Sequence, residues 1–382
     1  MSTDAYWLSR LRLTDFRNYE RLSLDFDSRP VVLVGANGSG KTNLLEAISF
    51  LVPGRGLRGS THEEIARDGG AGGWAVFARV EGPSGTSEIG TGLGAEPRQN
   101  DRASRDVRID GGRARTVNDL AHICRMAWLT PSMDSLFTGP AGERRRFLDR
   151  LVLAMDANHR SRVGQFETAM RQRNALLEAP GADARWLDGL EAQMAEHGAA
   201  IAAARRDYVR ILQGVLSERG GRGPFPQGRL ALEGSIETDL ASMPAIDAED
   251  RYRGALADAR GADAAAKRTL SGPHRSDLIV YYGPKARPAR LCSTGEQKIM
   301  LVGLVLAHAR LISALDDHGT PLVLLDEIAA HLDRDRREAL FAELGELGAQ
   351  AWMTGTERVI FASLAEAVQT FQVAEGRLKR LT

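Results

Sequence analysis

The segment Gly35-Ala36-Asn37-Gly38-Ser39-Gly40-Lys41-Thr42 constrains this 382-residue chain more than any other. It matches G-x-x-x-x-G-K-[ST], a pattern that requires a strand before it and a helix after it. Both are legible. Pro30–Val34 is a short apolar run of β-branched residues, which predicts a buried strand. Leu44, Leu45, Ile48 and Leu51 then recur at helical spacing. Glycines in such a loop let backbone N–H groups close around phosphates, and the helix N-terminus adds a positive dipole end. Gly35, Ala36, Asn37, Gly38, Ser39 and Gly40 are thus expected to cradle ATP. Lys41 is expected to reach the β- and γ-phosphates, and Thr42 to offer its hydroxyl to Mg²⁺.

Two further segments extend this reading. Pro321–Glu327 (PLVLLDE) predicts a second buried strand that ends in two acids. A carboxylate at a strand tip can hold the water shell of Mg²⁺, which suits Asp326. The next acid, Glu327, can polarise the attacking water as a general base. Ser293-Thr294-Gly295-Glu296-Gln297-Lys298 precedes a long apolar helix. A hydroxyl and a glycine at a helix start can form an anion site. The same residues also read as a plain cap, with Ser293 or Thr294 at the N-cap and Glu296 or Gln297 near N3. The residues alone leave both readings open.

Around these motifs the chain changes character twice. The first ~35 residues alternate apolar and polar positions, as paired strands do. Gly69–Gly94 carries short alternating runs, and Asp110-Gly111-Gly112 reads as a hairpin turn. From residue 147 to 217 the chain is rich in Ala, Arg, Leu and Glu, with apolar stripes that predict a pair of antiparallel helices. Gly220–Gly228 reads as a loop, and Ala255–Arg268 as another helix. The expected architecture is an α/β ATPase domain in two pieces, 1–146 and 265–382, split by a helical lid or arm at 147–264. Two cysteines, Cys124 and Cys292, suit neither a disulfide framework nor a zinc site and fit a reducing cytoplasm. The N-terminal MSTDAYWLSR lacks the apolar core of a signal peptide. No stretch reaches the roughly 20 apolar residues of a membrane span, so no membrane association is expected.

The order phosphate loop, Ser-x-Gly helix start, Asp-Glu strand and His331-Leu332-Asp333 resembles the ABC-type ATPases, including the SMC and Rad50 group. Within it the chain is similar to the RecF family. The resemblance rests on Leu11–Tyr19 (LRLTDFRNY), the loop extended through Asn43, Leu129–Pro131 with Gly139-Pro140, Arg145–Asp149 (RRFLD), and Gly272–Asp277 (GPHRSD). Lys41 and Ser293 lie 252 residues apart, too few for long coiled coils but enough for a helical lid.

The resemblance implies an ABC-type head with an inserted lid or arm, and ATP and Mg²⁺ as cofactors. It implies an ATP-dependent homodimer in which Ser293 and Gly295 of one subunit cap the γ-phosphate on the loop of the other. It further implies sequence-independent action on duplex DNA near single-strand gaps, with RecR and RecO, in the loading of RecA. Asn43 and Arg17 join the nucleotide-binding set on the same ground; a solvated strand-end arginine is the other reading of Arg17. The chain departs from the family at Glu296, where relatives more often carry Gln. It also departs from transporter ATPases at Thr354-Gly355-Thr356, where those carry a switch histidine.

DNA contacts have a less definite signature. Formal net charge is zero, with 50 basic and 50 acidic residues, so clustering must decide. Arg102, Arg105, Arg108, Arg113 and Arg115 outweigh Asp101, Asp106 and Asp110, and Arg98 adds a further cation. This segment is either a phosphate-contacting hairpin or a solvated one. Arg144–Arg146, Arg171, Arg173, Arg205 and Arg206 read as helix surface or as further contacts. The alternative to a DNA-directed ATPase is the ATPase subunit of a transport complex.

Overall fold

The computed structural model describes residues 5–94, 105–179, 181, 183–218, 225–226, 228–315 and 319–381. The chain packs as two units. One comprises Met1–Asp134, Arg222–Phe225 and Val302–Thr382; the other comprises Ser135–Gly221 and Pro226–Leu301. These divisions differ from the expected boundaries at 146/147 and 264/265. Most of the expected loop at Gly220–Gly228 lies outside the described residues.

N-terminal alternation produces β1 (Trp7–Phe16) and β2 (Tyr19–Asp25), an antiparallel pair. The β-branched run is β3 (Val31–Val34), buried on both faces, and α1 (Lys41–Ser49) follows the glycine loop. β4 (Trp74–Gly82) and β5 (Gly85–Leu93) form a hairpin. β6 (Asp106–Ile109) and β7 (Gly112–Arg113) form another, whose central Asp110 and Gly111 both have positive φ, as a type I′ turn requires. These strands make an antiparallel sheet in the order β2-β1-β4-β5-β6-β7. β8 (Met126–Leu129) belongs to a second sheet.

The second unit begins with α2 (Ala141–Val152), α3 (His159–Glu178) and α4 (Ala184–Glu218). α3 and α4 are the helix pair expected in this span, and α2, which starts before residue 147, runs into its beginning. Phe166 and Ala169 of α3 pack on Leu190, Met194, Ile201 and Ala202 of α4 in one apolar cluster. β9 (Gly228–Glu233), α5 (Ser235–Asp239), α6 (Ala245–Asp258) and α7 (Arg260–Ala266) follow. The single helix expected over Ala255–Arg268 is broken at Ala259. β10 (Asp277–Tyr282) pairs antiparallel with β9 and with β11 (Arg287–Pro288), which places residues 277–288 in this unit rather than in the ATPase half.

α8 (Thr294–Ser313), β12 (Leu322–Leu325), α9 (Arg334–Leu347), β13 (Ala351–Gly355), β14 (Gln369–Ala374) and β15 (Arg377–Leu381) complete the chain. The second sheet runs β15-β14-β3-β13-β12-β8, parallel except for β15. Ligands bind outside the carboxyl ends of such strands. β13 lies between β3 and β12, so its last residues sit between the glycine loop and the acids. Two buried glutamines tie this sheet to the N-terminal strands. Gln350 accepts from Leu8 N and Trp352 Nε1 at 2.9 and 3.1 Å and donates to Leu8 O and Asp27 O. Gln369 bonds to both the N–H and C=O of Asp27.

Candidate functional site

Between β3 and α1 the loop fits only glycine at its tight points. Gly38 and Gly40 have φ of 80° and 112°, conformations that side chains resist. A Cβ on Gly40 would lie 2.5 Å from Asn18 Nδ2 and 2.9 Å from the Tyr19 hydroxyl. A Cβ on Gly35 would lie 2.3 Å from Val373 O. Tyr19 OH donates to Gly40 O at 3.0 Å, Asn18 Nδ2 to Ser39 O at 3.2 Å, and Asn43 Nδ2 to Asn18 Oδ1 at 2.7 Å. Asn18 and Tyr19 therefore clasp the loop and set its shape.

Lys41 is 3% exposed, and its Nζ donates to Gly35 O at 2.7 Å and Ala36 O at 2.9 Å. Burial pushes its pKa down, while Glu327 and Asp326 hold it up. Phosphate oxygens would give this ammonium charged, stronger acceptors. Gly40 supplies no side-chain cap to α1, so its first-turn amides are free for an anion. Ser39 Oγ is buried without a partner, another group a ligand would satisfy. Ala36, Asn37 and Gly38 are exposed.

Thr42 Oγ1 donates to both carboxylate oxygens of Asp326, at 2.9 and 3.0 Å. Asp326 is 4% exposed, and burial pushes its pKa up. A hydroxyl and a buried carboxylate suit a hard cation that takes oxygen ligands. Thr354 Oγ1, from the end of β13, donates to Asp326 Oδ1 at 2.8 Å and accepts from Glu327 N at 2.8 Å. One hydroxyl thus spans the two acids. Glu327 has φ of 54°, a strained backbone for a residue of its kind.

Arg17 is held elsewhere in this geometry. Its Nε and Nη2 bond to Glu46, which is fully buried on α1, at 2.9 and 2.8 Å, and its Nη1 bonds to Glu64 O at 2.6 Å. Arg58 joins it, with Nη1 on Glu46 Oε2 at 2.9 Å and on Asn43 Oδ1 at 2.7 Å. Burial still leaves the Asp326 pKa raised, with Arg58 opposing that rise only after the Thr354 and Thr42 hydrogen bonds. Neither Arg58 nor Thr354's link between the acids has a local sequence signal; both emerge from the fold.

Ser293 and Gly295 lie in the other unit and are exposed. Glu296 Oε2 accepts from Ser293 N at 2.9 Å and Ser293 Oγ at 3.0 Å, and Lys285 Nζ donates to Oε1 at 2.5 Å. Lys285 first, then the Ser293 amide, hold the Glu296 carboxyl down at about 2. Glu296 is therefore the N3 partner of a cap, and Gly295 leaves the helix start open, with nothing within 4 Å of an added Cβ.

The arginine-rich segment divides. Arg98, Arg102 and Asp101 lie outside the described residues. Arg105 is 5% exposed, lies over the Phe50 ring at 5.2 Å and donates to Phe50 O and Val52 O, which makes it part of the core. Arg108, Arg113 and Arg115 are exposed, and Arg113 pairs with Asp106 at 3.3 Å.

The family model described as the RecF/RecN/SMC N-terminal domain matches residues 7–379. A Mesorhizobium japonicum protein named DNA replication and repair protein RecF is 53% identical over 369 residues, 97% of this chain and 96% of that protein. A Rhizobium etli protein of the same name is 52% identical over 371 residues, 97% of this chain and 98% of its own length. The fold resembles that of the recombination mediator RecF-ATPrS in the RecFOR pathway, with a TM-score of 0.86 at 21% identity over 99% of both chains. An Smc head from Pyrococcus furiosus, bound to the C-terminal domain of ScpA, gives a TM-score of 0.53 at 16% identity over 98% of this chain and 96% of that one.

Proposed function

The chain belongs to the RecF family, and from that premise we propose that it is an ATPase of DNA replication and repair whose ATP site closes a two-subunit clamp on duplex DNA. The observation that carries the ATPase reading is the unbroken set Lys41, Thr42, Asp326, Thr354 and Glu327 around one glycine loop. The transport-complex alternative is not supported, since relatives at about half identity bear a DNA replication and repair name. No helix among the described residues is long and apolar enough to cross a membrane.

On this reading the loop amides, Ser39 and Lys41 bind the phosphates of ATP, with Gly35–Gly40 wrapped around them and Asn43 bracing the loop through Asn18. Thr42 and Asp326 would hold Mg²⁺, which neutralises charge on the β- and γ-phosphates when bound. Thr354 keeps Asp326 in place and fixes the Glu327 backbone. Glu327 takes the proton from the attacking water. Arg17 acts through Glu46, steadying α1 from behind.

The first unit would be the ATPase head and the second the lid or arm. Ser293 and Gly295 of one copy would cap the γ-phosphate bound by the other, an arrangement favoured by their exposure at an open helix start. The closed dimer would engage duplex DNA at single-strand gaps in the cytoplasm, with RecR and RecO, and so assist RecA. Lys41→Ala should lose both ATP affinity and turnover, whereas Glu327→Gln should bind ATP normally and hydrolyse it about 10²–10⁴-fold more slowly. Unaltered ATP affinity and turnover in Lys41→Ala would overturn the assignment, and turnover assayed with gapped duplex present would test its coupling to DNA.

A further inference from the structure

Helix α2 starts with Ala141 and Gly142 after Pro140, and no side chain caps its first-turn amides. Arg145 Nη2 and Arg146 Nη1 each lie 3.6 Å from the point a Gly142 Cβ would occupy. Two guanidinium groups therefore converge on one bare glycine, with these nitrogens no more than twice that distance apart. Like charges so placed repel unless an anion joins them. Both line a cavity of about 180 Å³ in the second unit, together with Asp149, Glu167, Arg205 and His274.

The acids around this cavity are already engaged. Asp149 accepts from Arg205 at 2.7 and 2.9 Å and from His159 Nε2 at 2.8 Å. Asp277 takes both of its bonds from Arg144, at 2.7 Å. Glu167 pairs with Arg171 at 3.9 Å. Among the described residues no ion pair reaches Arg145, Arg146 or the nearby exposed Arg275. Arg145 is anchored by Nη1, which donates to Ser276 O at 2.7 Å. Burial first, then Arg205, push the Arg145 pKa down and Arg275 adds to this, while Asp277 and Asp149 act against it. His274 adds no charge of its own at neutral pH: burial pushes its pKa down, and its Nε2 is spent on Thr269 O at 3.0 Å.

We propose that this pocket binds a backbone phosphate of duplex DNA, a contact separate from the nucleotide site. The cavity is below the roughly 300–1,000 Å³ of small-molecule sites, so it suits a single charged group better than a whole nucleotide. Two guanidinium forks beside the Ala141 and Gly142 amides match the oxygens of a phosphate, the Glu143 amide being spent on Pro140 O at 3.0 Å. The assignment gives the RRFLD and GPHRSD segments a shared role: the first supplies Arg145 and Arg146, and the second supplies Ser276, which holds Arg145 in place. The proposal rests on the DNA-directed reading above.

Gly142→Asp provides the cleanest test. An acid in the first helical turn is compatible with the helix, and neighbours at 3.6 Å leave room for the Cβ. It would put a carboxylate where the phosphate is proposed to bind while keeping both arginines. Duplex affinity should be measured against salt for wild type, Gly142→Asp and Arg146→Ala, with ATP affinity measured on the same preparations. We expect wild type to show a steep salt dependence. Each variant should bind duplex about tenfold more weakly at low salt, with a slope of log affinity against log salt shallower by about one, and ATP affinity should be unchanged. Identical affinities and slopes in all three proteins would overturn the pocket assignment while leaving the DNA reading intact. Flat, salt-independent or absent duplex binding by wild type would overturn both.

Discussion

Thr354 joins the two acids of the candidate site through one hydroxyl, so its removal should affect chemistry more than binding. Outer partners of a metal-holding carboxylate are typically worth about 10–100-fold in activity or metal affinity. Thr354→Val should lose turnover in that range while keeping ATP affinity, and Thr354→Ser should recover most of it; equal turnover in Val and wild type would refute the bridging role. Asp326 makes a separate prediction through pH. Its folded pKa is raised by burial, so its contribution to stability is full below the unfolded carboxylate value and is lost as pH rises through the folded one. The ionised acid therefore destabilises the nucleotide-free protein at neutral pH. Asp326→Asn should melt higher than wild type near pH 7, and the gap should close in acid; a lower melting temperature at neutral pH would contradict this. Arg17 illustrates what a sequence position alone conceals. Its neighbours make it the partner of buried Glu46, and Arg17→Ala should cost about 3 kcal/mol of stability, read as a lower melting temperature, even in protein without nucleotide.

Elements whose chemistry is local were legible in the sequence. The strand–loop–helix at Val31–Ser49, the strand ending at Asp326 and the turn at Asp110-Gly111 each carry their own signals in glycine placement, apolar runs and paired acids. Elements that depend on distant partners were not. β9 and β10 pair across the intervening helices α5, α6 and α7, and that pairing, invisible in either strand's pattern, moves a whole segment between units. The role of Arg105 was hidden for the same reason, because only the fold brings Phe50 beneath it. Gln350 is a further case. Gln350→Leu would strand the Leu8 and Trp352 donors and two carbonyls, and should cost about 3 kcal/mol. At the start of α8, Gln can replace Glu at N3 of a cap. Glu296→Gln should therefore dimerise and turn over ATP much as wild type does. The stabilising contribution of the native carboxylate is present above the ordinary carboxyl range and lost as pH falls through about 2.

At the scale of the whole molecule, the glycine loop supplies half of a site that a second copy would complete through Ser293 and Gly295. On the proposed reading ATP would serve as a clasp between subunits, and hydrolysis by Glu327 would time its release. Sedimentation velocity of wild type and Ser293→Arg, each with ATP and with ADP, tests this most directly. Wild type should form dimer with ATP only, and Ser293→Arg should stay monomeric with either nucleotide. Equal dimer in both proteins, or dimer formed equally with ADP, would contradict this.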